Sequence, residues 1–406
     1  MAKPLAGITV LDLSRVLAGP WASQLLADLG ATVIKVEKPG SGDDTRAWAP
    51  PAASDGSAAY FLSANRGKRS IALDITRPEG QQIVKSLAET ADVLLENYKV
   101  GGLAKYGLDY DSLAKINPAL VYCSITGFGQ DGPAAELPGY DYIVQGLSGL
   151  MSITGPADGE PHKVGVAVTD LFTGLYAANA VQAALFERTR TGRGAYIDLA
   201  LFDCSLAMLA NVALNHLVSG NVPPRLGNAH PNIVPYQVFA VSDGHLILAC
   251  GNDKQFAAVC DVLGVPELAE DERFATNPAR VENRQLLVPR LAERFLQDRR
   301  DEWLGKLEAA GVPCGPILNV AEAFSHPQAR HRGMSFVAQR DDGTELAQLS
   351  CPIRFDGEPA RAELAPPLLG EHGDALLAAL GYDPDEIAAL RKAGVLGSGN
   401  PYQTTV

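Results

Sequence analysis

The sequence predicts an α/β protein: a doubly wound parallel sheet, with a second, smaller α+β domain. Three observations carry that prediction. Apolar runs of strand length alternate with helical segments through the first 200 residues, the pattern of βαβ units and of a parallel sheet covered on both faces. After about residue 200 the texture changes to helical segments with loops, then to a compact region from about 226 to 325. From about 340 the chain returns to sparse strands and a helix, expected to pack back on the first domain.

The elements follow in order. Ile8 to Leu13 is an apolar run that reads as a buried strand. Pro20 opens a helical pattern through Leu29, and Gly30 stands where a helix ends on glycine. Ala31 to Val36 is the next strand, closing one βαβ unit. Ser70 to Ile75 reads as a strand. Thr76-Arg77-Pro78-Glu79 reads as a capping box starting a helix to about Thr90. Val93 to Glu96 and Leu120 to Ile125 are strands. Thr169-Asp170 precedes a long amphipathic helix from Leu171 to about Arg188, and Ala195 to Leu199 is again a strand. In the smaller domain, Tyr236 to Val241 and Leu246 to Ala249 are strands, followed by helices near 254–263, 284–297 and 300–310. The expected organisation is a large domain over 1–200, a linker over 201–225, a small domain over 226–325, a linker over 326–345, and a C-terminal part of the large domain over 346–406. A helix is expected at Gly373 to Leu380.

Composition bounds the function. The 406 residues hold 47 acidic and 34 basic side chains, a net charge of −13, with 47% apolar residues. That apolar content excludes a disordered chain. The acidity disfavours a nucleic-acid binder, which needs clustered Lys and Arg. The six cysteines are scattered without a C-x-x-C pair, as expected of buried free thiols in a reducing compartment. There is no leader-like start and no uninterrupted apolar run near 18 residues, so a cytoplasmic protein without membrane contact is expected. No metal-ligand spacing, Walker loop or G-x-S-x-G elbow is found, so no metal and no ATP are expected.

The first βα turn, Ser14-Arg15-Val16-Leu17-Ala18-Gly19-Pro20, lies where a doubly wound fold binds ligands. It lacks G-x-G-x-x-G, which disfavours an ordinary NAD enzyme. Arg15 beside a helix start suits an anionic ligand. Lys38, Arg46, Arg66, Lys68, Arg69, Lys99 and Lys105 could form a local patch for phosphates within an acidic chain. Asp170 has two readings. Asp is a preferred helix N-cap; the same helix start keeps a carboxylate ionised and available as a covalent nucleophile.

Several stretches in order then carry a resemblance. They are Pro4 to Leu13, Val33 to Gly40 with Gly42 to Arg46, Asn65-Arg66-Gly67-Lys68-Arg69-Ser70, Glu96-Asn97-Tyr98, Thr126-Gly127-Phe128-Gly129, Gly139-Tyr140-Asp141, Thr169-Asp170 and Pro366 to His372. Each is weak alone; together they resemble the class III CoA-transferases, the formyl-CoA transferase-like family, along the whole chain. The resemblance implies an interlocked homodimer with a Rossmann-like large domain built from both chain ends. It implies CoA contacts at Val16, Leu17 and Ala18, at Lys38, at Leu73, Asp74, Ile75 and Thr76, at Asn97, Tyr98 and Lys99, and at Lys105. Two positions depart from the family: Lys38 is often Arg, which loses a bidentate fork, and Thr76 is Lys in some members. Asp170 aligns with the nucleophile, with Tyr140 and Asp141 in the supporting position. The implied chemistry passes through aspartyl anhydrides and an aspartyl-CoA thioester, with CoA the only coenzyme.

The related α-methylacyl-CoA racemases carry a His where this chain has Tyr140, and a phenol with a pKa of about 10 is a poor base at neutral pH. A silent CoA-binding protein is the reading from another class. The oxalate-type Gly-rich loop is absent. Arg225 to Gln237 and Gly251 to Phe256 look most like the branch that uses short dicarboxylates, including succinyl-CoA:glutarate-type enzymes. Arg15, Arg46, Arg66, His230 and Gln237 are the candidates for holding a distal carboxylate.

Overall fold

The computed structural model describes residues 3–397. They form two compact units. The first draws on residues 3–148, Gly165–Met208 and 327–397; the second on Gly149–Val164 and Leu209–His326.

The first unit holds β1 (Thr9–Asp12), β2 (Thr32–Glu37), β3 (Lys68–Ala72), β4 (Val93–Glu96), β5 (Val121–Thr126) and β6 (Ala195–Ala200). They make one six-stranded sheet in the order β3-β2-β1-β4-β5-β6, every neighbouring pair parallel. This is the doubly wound order, and its direction reverses between β1 and β4. Register places Val10 beside both Val33 and Val93. Strand alternation then divides the core. Val10, Val33, Leu95, Val121 and Cys123 pack under the helices Ala18–Asp28 and Val168–Thr191, with Leu26, Ala177 and Val181. Leu11, Ile34, Leu94 and Tyr122 point the other way, against Ile83, Val84 and Leu87 of the helix Pro78–Thr90 and Leu376 and Leu377 of Gly373–Ala379. The C-terminal segment is stitched to β3: His372 N–H donates to the Ser70 carbonyl (2.9 Å) and Gly397 N–H to the Ala72 carbonyl (2.9 Å).

The second unit is built on β7 (Tyr236–Val241), β8 (Gly244–Ala249) and β9 (Cys314–Pro316), antiparallel in that order. Phe239, Leu246 and Leu248 bury against Phe256, Leu263, Leu291, Phe295 and Trp303 from the helices Asp253–Leu263, Arg284–Phe295 and Arg300–Ala309.

Three expectations are corrected. Thr76 does not cap the helix Pro78–Thr90; its hydroxyl turns back to Asp74 (2.6 Å), and Pro78 with its fixed φ opens the helix instead. The long helix begins at Val168, so Thr169 and Asp170 lie inside its first turn. Residues 201–225, expected to join the domains through helical segments and loops, carry the helices Leu201–Met208 and Ala210–Ser219. Residues 149–164 join the second unit because the Arg225 guanidinium donates to three of their carbonyls, on Ser152 (3.3 Å), Pro156 (3.1 Å) and Gly159 (2.6 Å). A helix at Pro384–Lys392, with a capping box from Asp383 and Glu386, was not anticipated. No single helix among the described residues is long and apolar enough to cross a membrane.

Candidate active site

The β1 and β4 carboxyl ends open onto two neighbouring pockets, of about 210 and 370 Å³, that share Arg15, Asp44 and Tyr98. Between them runs the loop after β1. Val16 there has φ of +69°, a conformation that a β-branched residue adopts only under constraint. The constraint is visible. Arg15 N–H donates to Asn97 Oδ1 (2.8 Å) and the Asn97 amide donates back to the Arg15 carbonyl (2.7 Å). Val16 N–H donates to Asp43 Oδ1 (3.2 Å).

Asp43 is itself fixed from below. It pairs with fully buried Lys35 (2.9 Å), whose ammonium also donates to the Ser14 carbonyl (2.8 Å). Beside it, Lys68 pairs with Asp12 (3.0 Å), and the Ser23 hydroxyl donates to Asp12 as well (2.5 Å). Burial works against these carboxylates, but the lysines hold both Asp12 and Asp43 below the usual carboxylate range.

Asp170 lines the smaller pocket, in the first turn of the helix Val168–Thr191. It does not cap that helix. Asp141, at the start of the helix Asp141–Leu147, accepts from the Thr169 N–H (2.8 Å) and the Asp170 N–H (3.3 Å), and its other oxygen accepts from Gln145 (2.7 Å). Burial first, then the charge of Asp141, pushes the Asp170 carboxyl up to about 7. Two close approaches shape this wall. A Cβ on Gly127 would stand 2.5 Å from the Gly139 Cα, so only a Gly-Gly crossing brings the segment before Asp141 onto the end of β5. A Cβ on Gly174 would stand 2.7 Å from the Ala18 carbonyl, so glycine lets the two N-terminal helix ends meet.

A family model described as CoA-transferase family III matches residues 5–373. The chain belongs to that family. It is 53% identical over 382 residues, 93% of this chain and 96% of the relative, to a protein named succinate–glutarate CoA-transferase from Agrobacterium fabrum. It is 45% identical over 395 residues, 97% of this chain and 90% of the relative, to succinyl-CoA:glutarate CoA-transferase from Homo sapiens. The crystal structure of a CaiB/BaiF family protein from Brucella suis aligns with a TM-score of 0.82 at 54% identity, covering 94% of this chain and 100% of that one. As a member of family III, the protein is a CoA-transferase.

Within this family III fold, the anticipated residues separate into groups. Arg15, Val16, Leu17, Ala18, Asn97, Tyr98, Lys99, Tyr140, Asp141 and Asp170 line the smaller pocket. Lys38, Leu73, Asp74, Ile75 and Thr76 line the larger one. Lys105 is exposed and lies over the ring of Tyr106, which lines that pocket (4.7 Å). His230 and Gln237 belong to the second unit, where the His230 ring accepts from Asn232 N–H (3.0 Å) and stacks near Tyr236.

Arg46 and Arg66 are a correction. Both are buried side chains inside the first unit and line neither pocket. Arg46 grips Glu37 with two bonds of 2.7 Å and lies over the Phe61 ring (3.7 Å). Arg66 grips Asp28. Such guanidiniums hold the fold together and are not available to a substrate carboxylate. Among the described residues no cluster of His, Cys, Asp or Glu is arranged to hold a metal ion.

Two features escaped the sequence reading. Residues 135–138 form part of the smaller pocket's wall, in a stretch without periodicity. Tyr60 stands near the acidic centre: burial first, then the charges of Asp170 and Asp141, push its phenol up to about 12, so it remains an O–H donor. It follows the Pro- and Ala-rich stretch 49–59, where no motif marks it.

Proposed function

We propose that the protein moves CoA from succinyl-CoA to a second short dicarboxylate, with glutarate the leading acceptor, using Asp170 as covalent nucleophile. The acceptor class rests on the names of its relatives. One observation supports Asp170 above all: Asp141 takes the helix amides, which leaves the Asp170 carboxylate to line the pocket rather than cap its own helix.

In this reading Asp170 attacks the succinyl thioester carbonyl and CoA thiolate leaves, giving a mixed anhydride. The thiolate attacks the aspartyl carbonyl and releases succinate, giving an aspartyl-CoA thioester. The acceptor carboxylate attacks that thioester, expelling the thiolate again and forming a second anhydride. The thiolate attacks the acceptor acyl carbon, and the Asp170 carboxylate departs. One thioester replaces another, so the sequence closes without ATP. The helix Ala18–Asp28 has no side-chain cap and no acidic residue in its first turn, which suits its amides to the oxyanions. Lys38, Lys99 and Lys105 are our candidates for the CoA phosphates, with Leu73–Thr76 and Asn97–Tyr98 along its body. Arg15, His230 and Gln237 remain our candidates for the acceptor's far carboxylate. We assign the protein to an interlocked homodimer; exposed Tyr142, Leu147, Leu175 and Phe186 supply apolar surface for it.

The test is a mass-spectrometric exchange assay. Succinyl-CoA is mixed with glutarate and a panel of other carboxylates, beside an Asp170→Ala control. New acyl-CoA from a dicarboxylate, at least a thousandfold slower in the control, is expected. Exchange that survives the substitution sinks the nucleophile assignment. Exchange with monocarboxylates alone sinks the acceptor class.

A further inference from the structure

The motif Asn65–Ser70 is absorbed by the fold at every charged position but one. Arg66 is tied to Asp28, Lys68 to Asp12, and Ser70 to Glu37. Arg69 lies between Lys68 and Ser70 on β3, so its side chain takes the opposite face, where it is exposed. There it lines a pocket of about 250 Å³ together with Lys3 and Arg361. The pocket sits at the amino-terminal ends of β2 and β3, with Thr32, Val33 and Gly67 in its wall. The cleft described above opens at the carboxyl end of the same sheet.

The charges in this pocket are unbalanced. Among the described residues, neither Arg69 nor Arg361 has a carboxylate within ion-pair distance. Lys3 pairs with Glu363 (2.7 Å), but both side chains are largely in water, where such a pair contributes little. Three cations thus face one carboxylate, in a chain whose net charge is −13. Arg361 is also pre-positioned. Its guanidinium lies 4.2 Å from the Phe336 ring centre, and its Nε is buried without a hydrogen-bond partner. A planar guanidinium held by an aromatic face loses little freedom when it binds an oxyanion with its fork.

The geometry points to a binding site for a small oxyanion, a phosphate or carboxylate group, at the sheet end opposite the transferase cleft. It uses neither Asp170 nor the residues assigned to CoA, so it stands or falls apart from the reading above.

Isothermal titration calorimetry at low ionic strength tests it, with inorganic phosphate and, separately, acetate, which is neither donor nor product in the proposed transfer, as probes. Low salt matters because exposed charges are screened over about 10 Å at 0.1 M. Saturable binding of at least one probe to the full chain is expected. Arg69→Gln and Arg361→Gln should each weaken it tenfold or more, while Lys99→Ala in the cleft should leave it unchanged. Lys3→Ala, at an exposed position whose ion pair contributes little to stability, should weaken it several-fold, so the test survives an unstable Arg361 variant. Binding of phosphate alone assigns a phosphate group, and of acetate alone a carboxylate; either supports the site. The inference is overturned if neither probe saturates, if binding persists in Arg69→Gln and Lys3→Ala, or if Lys99→Ala abolishes it.

Discussion

In the proposed transfer the attacking carboxylate must be ionised but poorly solvated, and the setting of Asp170 supports that role. Its pKa of about 7 comes mainly from burial, with Asp141 adding like-charge repulsion. The reactive form is the anion, so kcat/KM is expected to rise with pH on a limb near 7. Asp141→Asn keeps an oxygen for the Thr169 and Asp170 amides but removes the charge. Its limb is expected to move lower, while staying above that of an ordinary Asp because burial, the larger cause, remains. A limb that does not move would show that Asp141 acts on geometry alone. The resemblance set Asp141 in a supporting position beside Asp170 but not as the acceptor of its helix amides: an Asp at a helix start reads as its own cap, and the actual cap comes from 29 residues earlier. Arg46 and Arg66 were misread for the same kind of reason. A cation's partner is set by strand order, and Glu37 and Asp28 become neighbours only once the sheet is formed.

The strands were legible as elements because each is an apolar run bounded by polar residues; what could not be read was the ionic layer threaded through β1 to β3. Glu96, at the end of β4, belongs to this hidden chemistry. Burial pushes it up to about 7, despite an N–H bond from Tyr98 (2.7 Å). Its folded pKa lies above its unfolded one, so the folded state binds the proton more tightly. Its contribution is therefore greatest below about pH 4.5 and is lost as pH rises toward 7. A shift of that size corresponds to roughly 3 kcal/mol. Asp170 acts in the same direction over the same window. Glu96→Gln should therefore flatten the fall in unfolding free energy between pH 5 and 7 by about half, measured by urea titration at several pH values. Parallel curves for variant and wild type would refute this. The helix Pro384–Lys392 was legible in principle, since Asp383 and Glu386 have capping-box spacing before an amphipathic run.

At the scale of the molecule, the alternation of strands and helices and the change of texture after residue 200 foretold two units and the doubly wound sheet. The boundaries were hidden because one side chain, Arg225, binds three carbonyls 66 to 73 residues away. The sheet unit also depends on its last segment: the far edge of β3 is closed by His372, Leu396 and Gly397. The second unit draws on nothing after residue 326. A chain cut at residue 326 is therefore expected to keep a protease-resistant fragment from the second unit while 3–148 is digested, read by limited proteolysis and mass spectrometry. Equal resistance of both would contradict it. During synthesis the same dependence sets a waiting time. The stretch made first must remain on the ribosome without its closing edge until some 250 further residues emerge. The inserted unit can complete its core in that interval, so the amino-terminal strands are where a chaperone would be needed.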